Sequence, residues 1–276
     1  MRVRRARGMR RRRSARIRPA SRTGLALACV PGLAAVLGLV LCVKGVERAV
    51  DAGSARAAAV AGHRLAPHEA VRPHIVPRAV WAVGGEANSA ARTPPPPHYD
   101  DKVLAVFVHH TDSPNDYACA DVPRIIRYLA AGQTGARNWD DIGYNFLVDR
   151  CGTIYEGRAG GVDRPVTGAH TLGFNHRTAG IAALGTFTAG AAVPRAMADA
   201  IAALAAWKLG LAGIDPRATV RLTSSNSHSR YTKGTTATLP ALAAHGDAYT
   251  TTCPGAALKA LLPEIRERAA RLQGRK

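Results

Sequence analysis

The sequence predicts a mixed α/β domain in which a central β-sheet is covered by helices. Short apolar runs of strand length alternate along the chain with longer segments that repeat apolar residues at helical spacing. Strands and helices therefore interleave, and this order is typical of a sheet with helices packed on its faces. No internal repeat is visible in the 276 residues.

The predicted elements follow in chain order. Residues 103–108 form a continuous apolar run and predict the first strand, and residues 121–131 carry apolar side chains at helical spacing. Residues 145–149 and 153–156 flank a glycine-containing turn and predict a hairpin. Residues 180–184 predict a further buried strand. Strand, helix, hairpin and strand thus make up the first half of the domain.

Two more helices and one polar segment complete the pattern. Pro194 begins a helix with Met197, Ile201 and Leu204 on one face, and Pro254 is the predicted start of the last helix. Between them, residues 222–238 are rich in Ser and Thr and predict a loop. That loop is either a flexible surface connection or a rim of a substrate groove.

The formal net charge of +19 is unevenly placed. Residues 1–44 hold twelve basic residues and no acidic one, and residues 24–43 carry no charge. About 20 apolar residues span a membrane, and basic flanks stay on the cytoplasmic side. We therefore expect an exported protein whose segment 24–43 is a membrane anchor, or a signal peptide if it is cleaved. Membrane topology then explains the basic residues of the tail, and they do not indicate a nucleic-acid partner.

These features divide the chain into four parts. Residues 1–23 are the basic tail, 24–43 the membrane segment, 44–76 a linker and 77–276 the folded domain. Three cysteines then lie outside the membrane. The simplest assignment pairs Cys119 with Cys151 in a disulfide and leaves Cys253 free, while a free buried thiol at each position is the alternative.

Three residues offer nitrogen and sulfur ligands for a metal. His109 follows an apolar strand, and His245 and Cys253 lie together near the C-terminus. A catalytic zinc takes three protein ligands and leaves a fourth position for water. With Pro254 at the first turn of a helix, the Cys253 thiol is also expected to have a lowered pKa. The sequence therefore predicts a zinc hydrolase.

Five ordered motifs, within about residues 77–265, resemble the peptidoglycan recognition protein family, the zinc-dependent type 2 N-acetylmuramoyl-L-alanine amidases. The matching segments are residues 108–111, 139–146, 152–158, 168–175 and 251–255. The resemblance implies a single amidase-type domain that binds peptidoglycan and cleaves the amide between N-acetylmuramic acid and L-alanine. A non-catalytic peptidoglycan receptor on the same fold is the alternative, although loss of the cysteine ligand usually marks such receptors.

The resemblance also assigns roles to single residues. His109, His245 and Cys253 are implied to bind zinc, and Tyr144 and Thr251 to assist catalysis. His170 and Asn175 lie in a segment that resembles the substrate groove, where they contact muramyl peptide or stabilise the loop. We expect a monomer.

Several positions depart from the family pattern, among them residues 130–136, 138, 244 and 246. Asn138 replaces a glycine before Trp139, and Gly246 replaces an arginine after the second histidine ligand. His110 is expected to be structural, because neighbouring side chains on a strand point to opposite faces.

Overall fold

A six-stranded sheet lies at the centre of residues 68–82 and 95–276, the part of the chain that the computed structural model describes. The strands are β1 (Ile75–Val76), β2 (Ala105–His110), β3 (Phe146–Val148), β4 (Ile154–Glu156), β5 (Thr178–Ala183) and β8 (Leu242–Ala244). In spatial order the strands are β1, β4, β3, β5, β2 and β8. Every neighbouring pair is parallel except the antiparallel pair β3 and β4.

Helices cover both faces of this sheet. They are α1 (Ala79–Ala82), α2 (Val122–Ala131), α3 (Arg195–Gly210), α4 (His245–Ala248) and α5 (Ala256–Leu272). On one face, α3 and α5 bury side chains such as Ile201 and Leu258 against Val106 and Val108 of β2. On the other face, α1 and α2 pack against β3 and β4. The predicted mixed α/β fold is confirmed.

The alternation of side chains along β2 assigns the two histidines to different faces. Val106 and Val108 belong to the core beneath α3 and α5, whereas Phe107 belongs to a separate apolar cluster on the opposite face. Because side chains alternate with a period of two, His109 shares the face of Phe107, and His110 lies on the face of Val108. The predicted strand ends at 108, but the backbone remains extended through both histidines.

The polar segment 222–238 is not a loop throughout. Its ends belong to a two-stranded antiparallel sheet, β6 (Thr219–Thr223) and β7 (Thr236–Pro240). Leu222 and Leu239 are buried against Phe107 and Phe174, whereas the intervening threonines are exposed. The buried positions of the two strands are Leu222, Ala237 and Leu239. These are too few apolar residues to give a clear period-two pattern in a segment rich in Ser and Thr.

Two further boundaries differ from the predictions. The last helix begins at Ala256 instead of Pro254, because Gly255 has a φ of 91°, which is incompatible with a right-handed helix. The sheet also begins at Ile75, inside the predicted linker 44–76, where a two-residue strand is too short to give a periodic signal. Arg78, just after that strand, pairs with Asp141 at 2.8 Å and fastens the segment to the domain.

The predicted disulfide is present. Cys119 and Cys151 are bonded, with 6.4 Å between their Cα atoms, and join the turn before α2 to the turn between β3 and β4. The basic tail 1–23 and the predicted membrane segment 24–43 lie outside the described residues. Among the residues that are described, every helix is too short or too polar to cross a membrane.

A buried lysine on α3 yields a test of the packing. Lys208 is 3% exposed, and its ammonium donates to the carbonyl oxygens of Val162 and Arg164. Burial lowers the pKa of Lys208 to about 8. Between pH 8 and about 10.5 the unfolded chain therefore binds a proton that the folded chain lacks, so this residue makes stability rise with pH.

We expect the Lys208→Met variant to lack this rise. The unfolding free energy of the native protein should increase by roughly 2 to 3 kcal/mol relative to that of the variant across this interval. Urea unfolding at closely spaced pH values measures the difference. Parallel pH curves for the two proteins would show that the lysine is not titrating in the fold.

Candidate metal centre

Three separate segments bring nitrogen and sulfur ligands to one point. His109 is the fifth residue of β2, His245 is the first residue of α4, and Cys253 lies in the loop before α5. One ligand atom from each lies within 4.8 Å of the others. The parallel register of β8 on β2 pairs Ala244 with Val108, so the residues that follow them emerge side by side. The three predicted metal ligands therefore converge.

The spacing of these ligands fits zinc. The Cys253 Sγ atom lies 3.9 Å from His109 Nδ1, and the rings of His109 and His245 are 4.3 Å apart between centroids. A tetrahedral zinc with bonds of about 2.3 Å to sulfur and about 2.05 Å to nitrogen separates those two atoms by roughly 3.6 Å. A set of two imidazoles and one thiolate also leaves the fourth position that a catalytic zinc requires. The donor set and its dimensions thus suit the predicted metal.

The two candidate histidine ligands are held in their neutral form. Burial lowers the pKa of His109 well below its usual value, and the nearby His245 and His170 add to the effect. Burial also lowers the pKa of His245 to about 4. Only a neutral imidazole has a free lone pair for a metal, so the pocket keeps both rings ready to bind at neutral pH.

The cysteine behaves differently from its predicted state. Burial raises the pKa of the Cys253 thiol to about 12, and the expected lowering is wrong. The helix begins three residues after Cys253, so burial outweighs the expected effect of the helix dipole. The Sγ atom faces β2 and accepts a hydrogen bond of 3.3 Å from the His110 amide, which lowers the pKa but does not offset burial. A metal must therefore displace the proton as it binds.

His170 contacts the buried ligand from behind. Its Nδ1 atom lies 3.2 Å from His109 Nε2, the nitrogen that faces away from Cys253, and 2.9 Å from the Thr171 hydroxyl. Burial lowers the pKa of His170 to about 3, so the ring stays neutral. A partner on the second nitrogen of a metal-binding histidine fixes its tautomer and orientation. His170 thus supports His109 and also lines the groove described below.

Two glycines make room for the His170 ring, and two asparagines hold the backbone around it. A Cβ atom at Gly180 of β5 would overlap the His170 ring, and one at Gly168 would overlap it as well. The Gly180 amide donates to the side chain of Asn145 at 2.8 Å. Asn175, the second predicted groove residue, accepts hydrogen bonds from the amides of His170 and Thr171 at 2.9 and 2.8 Å. Asn175 therefore stabilises the loop that carries His170.

A groove of about 410 Å³ opens beside His245. Among the predicted residues it is lined by Tyr144, His170, Asn175 and His245. Sequence reasoning missed Arg137, Trp139, Leu172 and Tyr249, which also line it. Tyr249 stacks on His245 at 5.3 Å, one helical turn later in the chain, and Arg137 lies over the Trp139 ring at 5.4 Å. The four-residue spacing of Tyr249 from His245 was a sequence signal for the first of these contacts.

Tyr144 is well placed to donate a proton in a hydrogen bond. Its ring lies 5.3 Å from the His109 ring, and burial raises the pKa of the phenol to about 12. The hydroxyl therefore stays protonated at neutral pH and cannot act as a base. In this environment it can donate to a negatively charged oxygen in the groove.

Thr251 and Gly246 shape the segment between His245 and Cys253. The Thr251 hydroxyl accepts a hydrogen bond of 3.2 Å from the Cys253 amide, and Thr251 is exposed in the loop. The Gly246 amide donates to the Cys253 carbonyl at 3.0 Å, and a Cβ atom at Gly246 would approach the Thr251 carbonyl to 2.8 Å. The glycine at 246 thus permits the close contact of two ligand-bearing segments.

His110 contributes its backbone to the site. Its amide binds the Cys253 sulfur, whereas its side chain lies outside the group of converging ligands. The Nδ1 atom of His110 is buried without a hydrogen-bond partner among the described residues.

Comparison with known proteins identifies a family model described as N-acetylmuramoyl-L-alanine amidase, which matches residues 99–256. The chain is 35% identical over 113 residues to peptidoglycan-recognition protein LE of Drosophila melanogaster, which is 41% of this chain and 30% of that protein. It is 39% identical over 87 residues to the human N-acetylmuramoyl-L-alanine amidase, which is 30% of this chain and 14% of the human protein. The matched region thus spans less than a third of either relative.

Solved structures show the same fold. Drosophila PGRP-LB superposes with a TM-score of 0.50 at 25% identity and covers 68% of this chain and 91% of its own. Peptidoglycan recognition protein-LE in complex with tracheal cytotoxin, a monomeric diaminopimelic acid-type peptidoglycan, gives a TM-score of 0.50 at 27% identity. That superposition covers 70% of this chain and 92% of the other.

The support of His109 by His170 predicts an effect of Gly180 on metal affinity. In the Gly180→Ala variant the added methyl group displaces the His170 ring, and we expect zinc to bind about 10-fold to 100-fold more weakly. Competition with a chromogenic chelator measures the dissociation constant. The matched control is Gly132→Ala, because a Cβ atom at Gly132 meets nothing within 4 Å. Equal zinc affinity in both variants would contradict the supporting role of His170.

Proposed function

Because the chain belongs to the N-acetylmuramoyl-L-alanine amidase family, we propose that it hydrolyses the amide between N-acetylmuramic acid and L-alanine in peptidoglycan. The observation that carries the proposal is the convergence of His109, His245 and Cys253 beside an open groove that His245 lines. A pocket that only binds peptidoglycan needs no such ligand set. The proposed role is degradation or remodelling of the bacterial cell wall.

These three residues would hold a zinc ion. When bound, zinc would polarise the amide carbonyl and lower the pKa of a water molecule at its open position. The protein supplies neutral imidazoles, a thiol that would lose its proton on metal binding, and a buried site in which electrostatic interactions are strong.

Tyr144 is the proposed donor to the oxyanion. Attack of water on the amide places a negative charge on the former carbonyl oxygen, and stabilisation of this charge is usually the largest catalytic contribution. The phenol of Tyr144 is protonated, lines the groove and lies next to His109. It is the proposed catalytic residue with the clearest geometric support.

Three other predicted residues position the groups of the site. Thr251 orders the backbone at Cys253, so its proposed contribution is to hold the third ligand in place. His170 orients His109 and exposes part of its ring to the groove, where it can also contact muramyl peptide. Asn175 acts through His170 by holding its loop.

The alternative is a non-catalytic receptor for peptidoglycan. The similarity to recognition proteins, one of them solved with a peptidoglycan fragment, favours binding in the groove. The presence of the complete ligand set, Cys253 included, favours the enzyme.

We also propose an extracytoplasmic location. The charge pattern of residues 1–44 supports export, with the catalytic domain anchored through 24–43 or secreted after cleavage. The oxidised Cys119 and Cys151 pair fits an oxidising compartment. The proposed working form is a monomer.

Hydrolysis and zinc binding can be tested together. The zinc-loaded full chain should release stem peptides with free L-alanine amino termini from muropeptide, detected by mass spectrometry. The Cys253→Ser variant should bind muropeptide without cleaving it and should retain little zinc, because the hydroxyl is a poor zinc ligand. Binding without cleavage by the native chain would establish the receptor instead. Stoichiometric zinc in the variant would show that Cys253 is not the third ligand.

The proposed role of Tyr144 predicts a loss of catalytic rate without a loss of zinc binding. Tyr144→Phe should lower kcat by about 10²-fold to 10³-fold, the usual cost of removing one oxyanion donor. Zinc content should stay unchanged, because the residue is not a ligand. A kcat within a factor of two of the native value would remove Tyr144 from the mechanism.

A further inference from the structure

The positive charge of the described residues is concentrated at the C-terminal end. Residues 216–276 contain ten basic and three acidic residues, a net charge of +7. Residues 68–82 and 95–215 together contain twelve basic and thirteen acidic residues, a net charge of −1. An asymmetry of this kind indicates an anionic partner for the basic part.

Three of these basic residues line one cavity, which we call the basic cavity. It measures about 510 Å³ and lies between β7, α4 and α5. Arg230, Lys259 and Arg266 line it, with Asp247 as the only carboxylate among its lining residues. Lys259 and Arg266 are seven residues apart on α5 and therefore share one face of the helix. The cavity thus has a net charge of about +2 from its side chains.

The guanidinium groups are held by the backbone and keep donors free. Arg266 Nε donates to the Leu242 carbonyl at 2.8 Å, and one terminal nitrogen of Arg230 donates to the Gly246 carbonyl at 2.7 Å. Neither contact neutralises a charge. The remaining N–H groups form planar forks that match phosphate and carboxylate oxygens, and their fixed positions reduce the entropy lost on binding.

The floor of the cavity is apolar. Leu239 and Leu262 are each 2% exposed, and Pro240 and Pro263 lie beside them. The lining has one aromatic ring, the half-buried Tyr231, which makes a T-shaped contact with Phe174 at 5.7 Å. The lining therefore offers no series of aromatic rings on which successive bases of a single strand could stack. An apolar floor with a cationic rim suits a chain in which short carbon units alternate with phosphates.

We propose that the basic cavity binds an anionic polymer with a polyol phosphodiester backbone. The cavity is separate from the groove, and its lining shares no residue with the groove lining. Arg221 of β6 is exposed and lies opposite Thr238, a lining residue of the cavity, so it extends the positive surface beyond the cavity. A polymer therefore fits better than a single small anion. This inference does not depend on the amidase activity.

The test uses binding of fluorescently labelled poly(glycerol phosphate) to the zinc-loaded full chain, followed by anisotropy. Lys259→Gln should weaken binding at least about fivefold, because it removes a charge from the cavity and leaves Asp247 unpaired. Arg266→Lys keeps the charge but removes the planar fork, and should also weaken binding. Asp247→Asn should strengthen it, because it removes the only carboxylate of the lining. Thermal unfolding checks that each variant is folded.

The matched control is Arg271→Gln, which removes one charge from the same helix outside the cavity. We expect it to change the affinity less than twofold. An equal loss in Arg271→Gln and Lys259→Gln would show attraction to overall charge and overturn the site. Equal or tighter binding of a single-stranded oligonucleotide, of polyglutamate or of anionic lipid vesicles at matched charge would overturn the polymer class.

Discussion

The candidate site depends on the pairing of β8 with β2. This parallel pairing places Ala244 opposite Val108, and it is the reason that His245 and His109 leave the sheet next to each other. A shift of one residue would turn His245 away from His109, because side chains alternate between faces. The third ligand is joined to this pair by backbone hydrogen bonds, from Gly246 to the Cys253 carbonyl and from His110 to the Cys253 sulfur. One strand register therefore controls the whole centre.

Burial gives the centre its chemical character. The neutral histidines and the protonated phenol of Tyr144 follow from the same loss of solvent, which disfavours charged forms of every group. Burial likewise keeps the thiol of Cys253 protonated, but this is the one group of the three that must ionise to bind a metal. Ionisation of the buried thiol is thus coupled to binding of a cation, whose charge compensates that of the thiolate.

The second requirement of the site is that neighbouring segments can approach the backbone closely at certain glycines. His170 lies behind His109 only because β5 and the preceding loop have glycine at 180 and 168. The same reasoning explains Gly246, where a side chain would meet the backbone around Thr251. Small residues here permit the contact between the segments that carry the candidate ligands. The basic cavity, in contrast, is lined by long side chains on α5 and in the loop between β6 and β7.

The sequence alone predicted the fold class, the main helices α2 and α3, the disulfide pair and the three candidate metal ligands that converge in the structure. These predictions follow from local periodicity, from the odd number of cysteines outside the predicted membrane segment and from ordered motifs. Only the tertiary structure decided the start of α5, the strands β6 and β7, the protonation of Cys253 and the contact of His170 with His109. The reason is physical: His109 and Cys253 are 144 residues apart, and burial, strand register and backbone approach arise between such distant segments. Local sequence patterns do not record them.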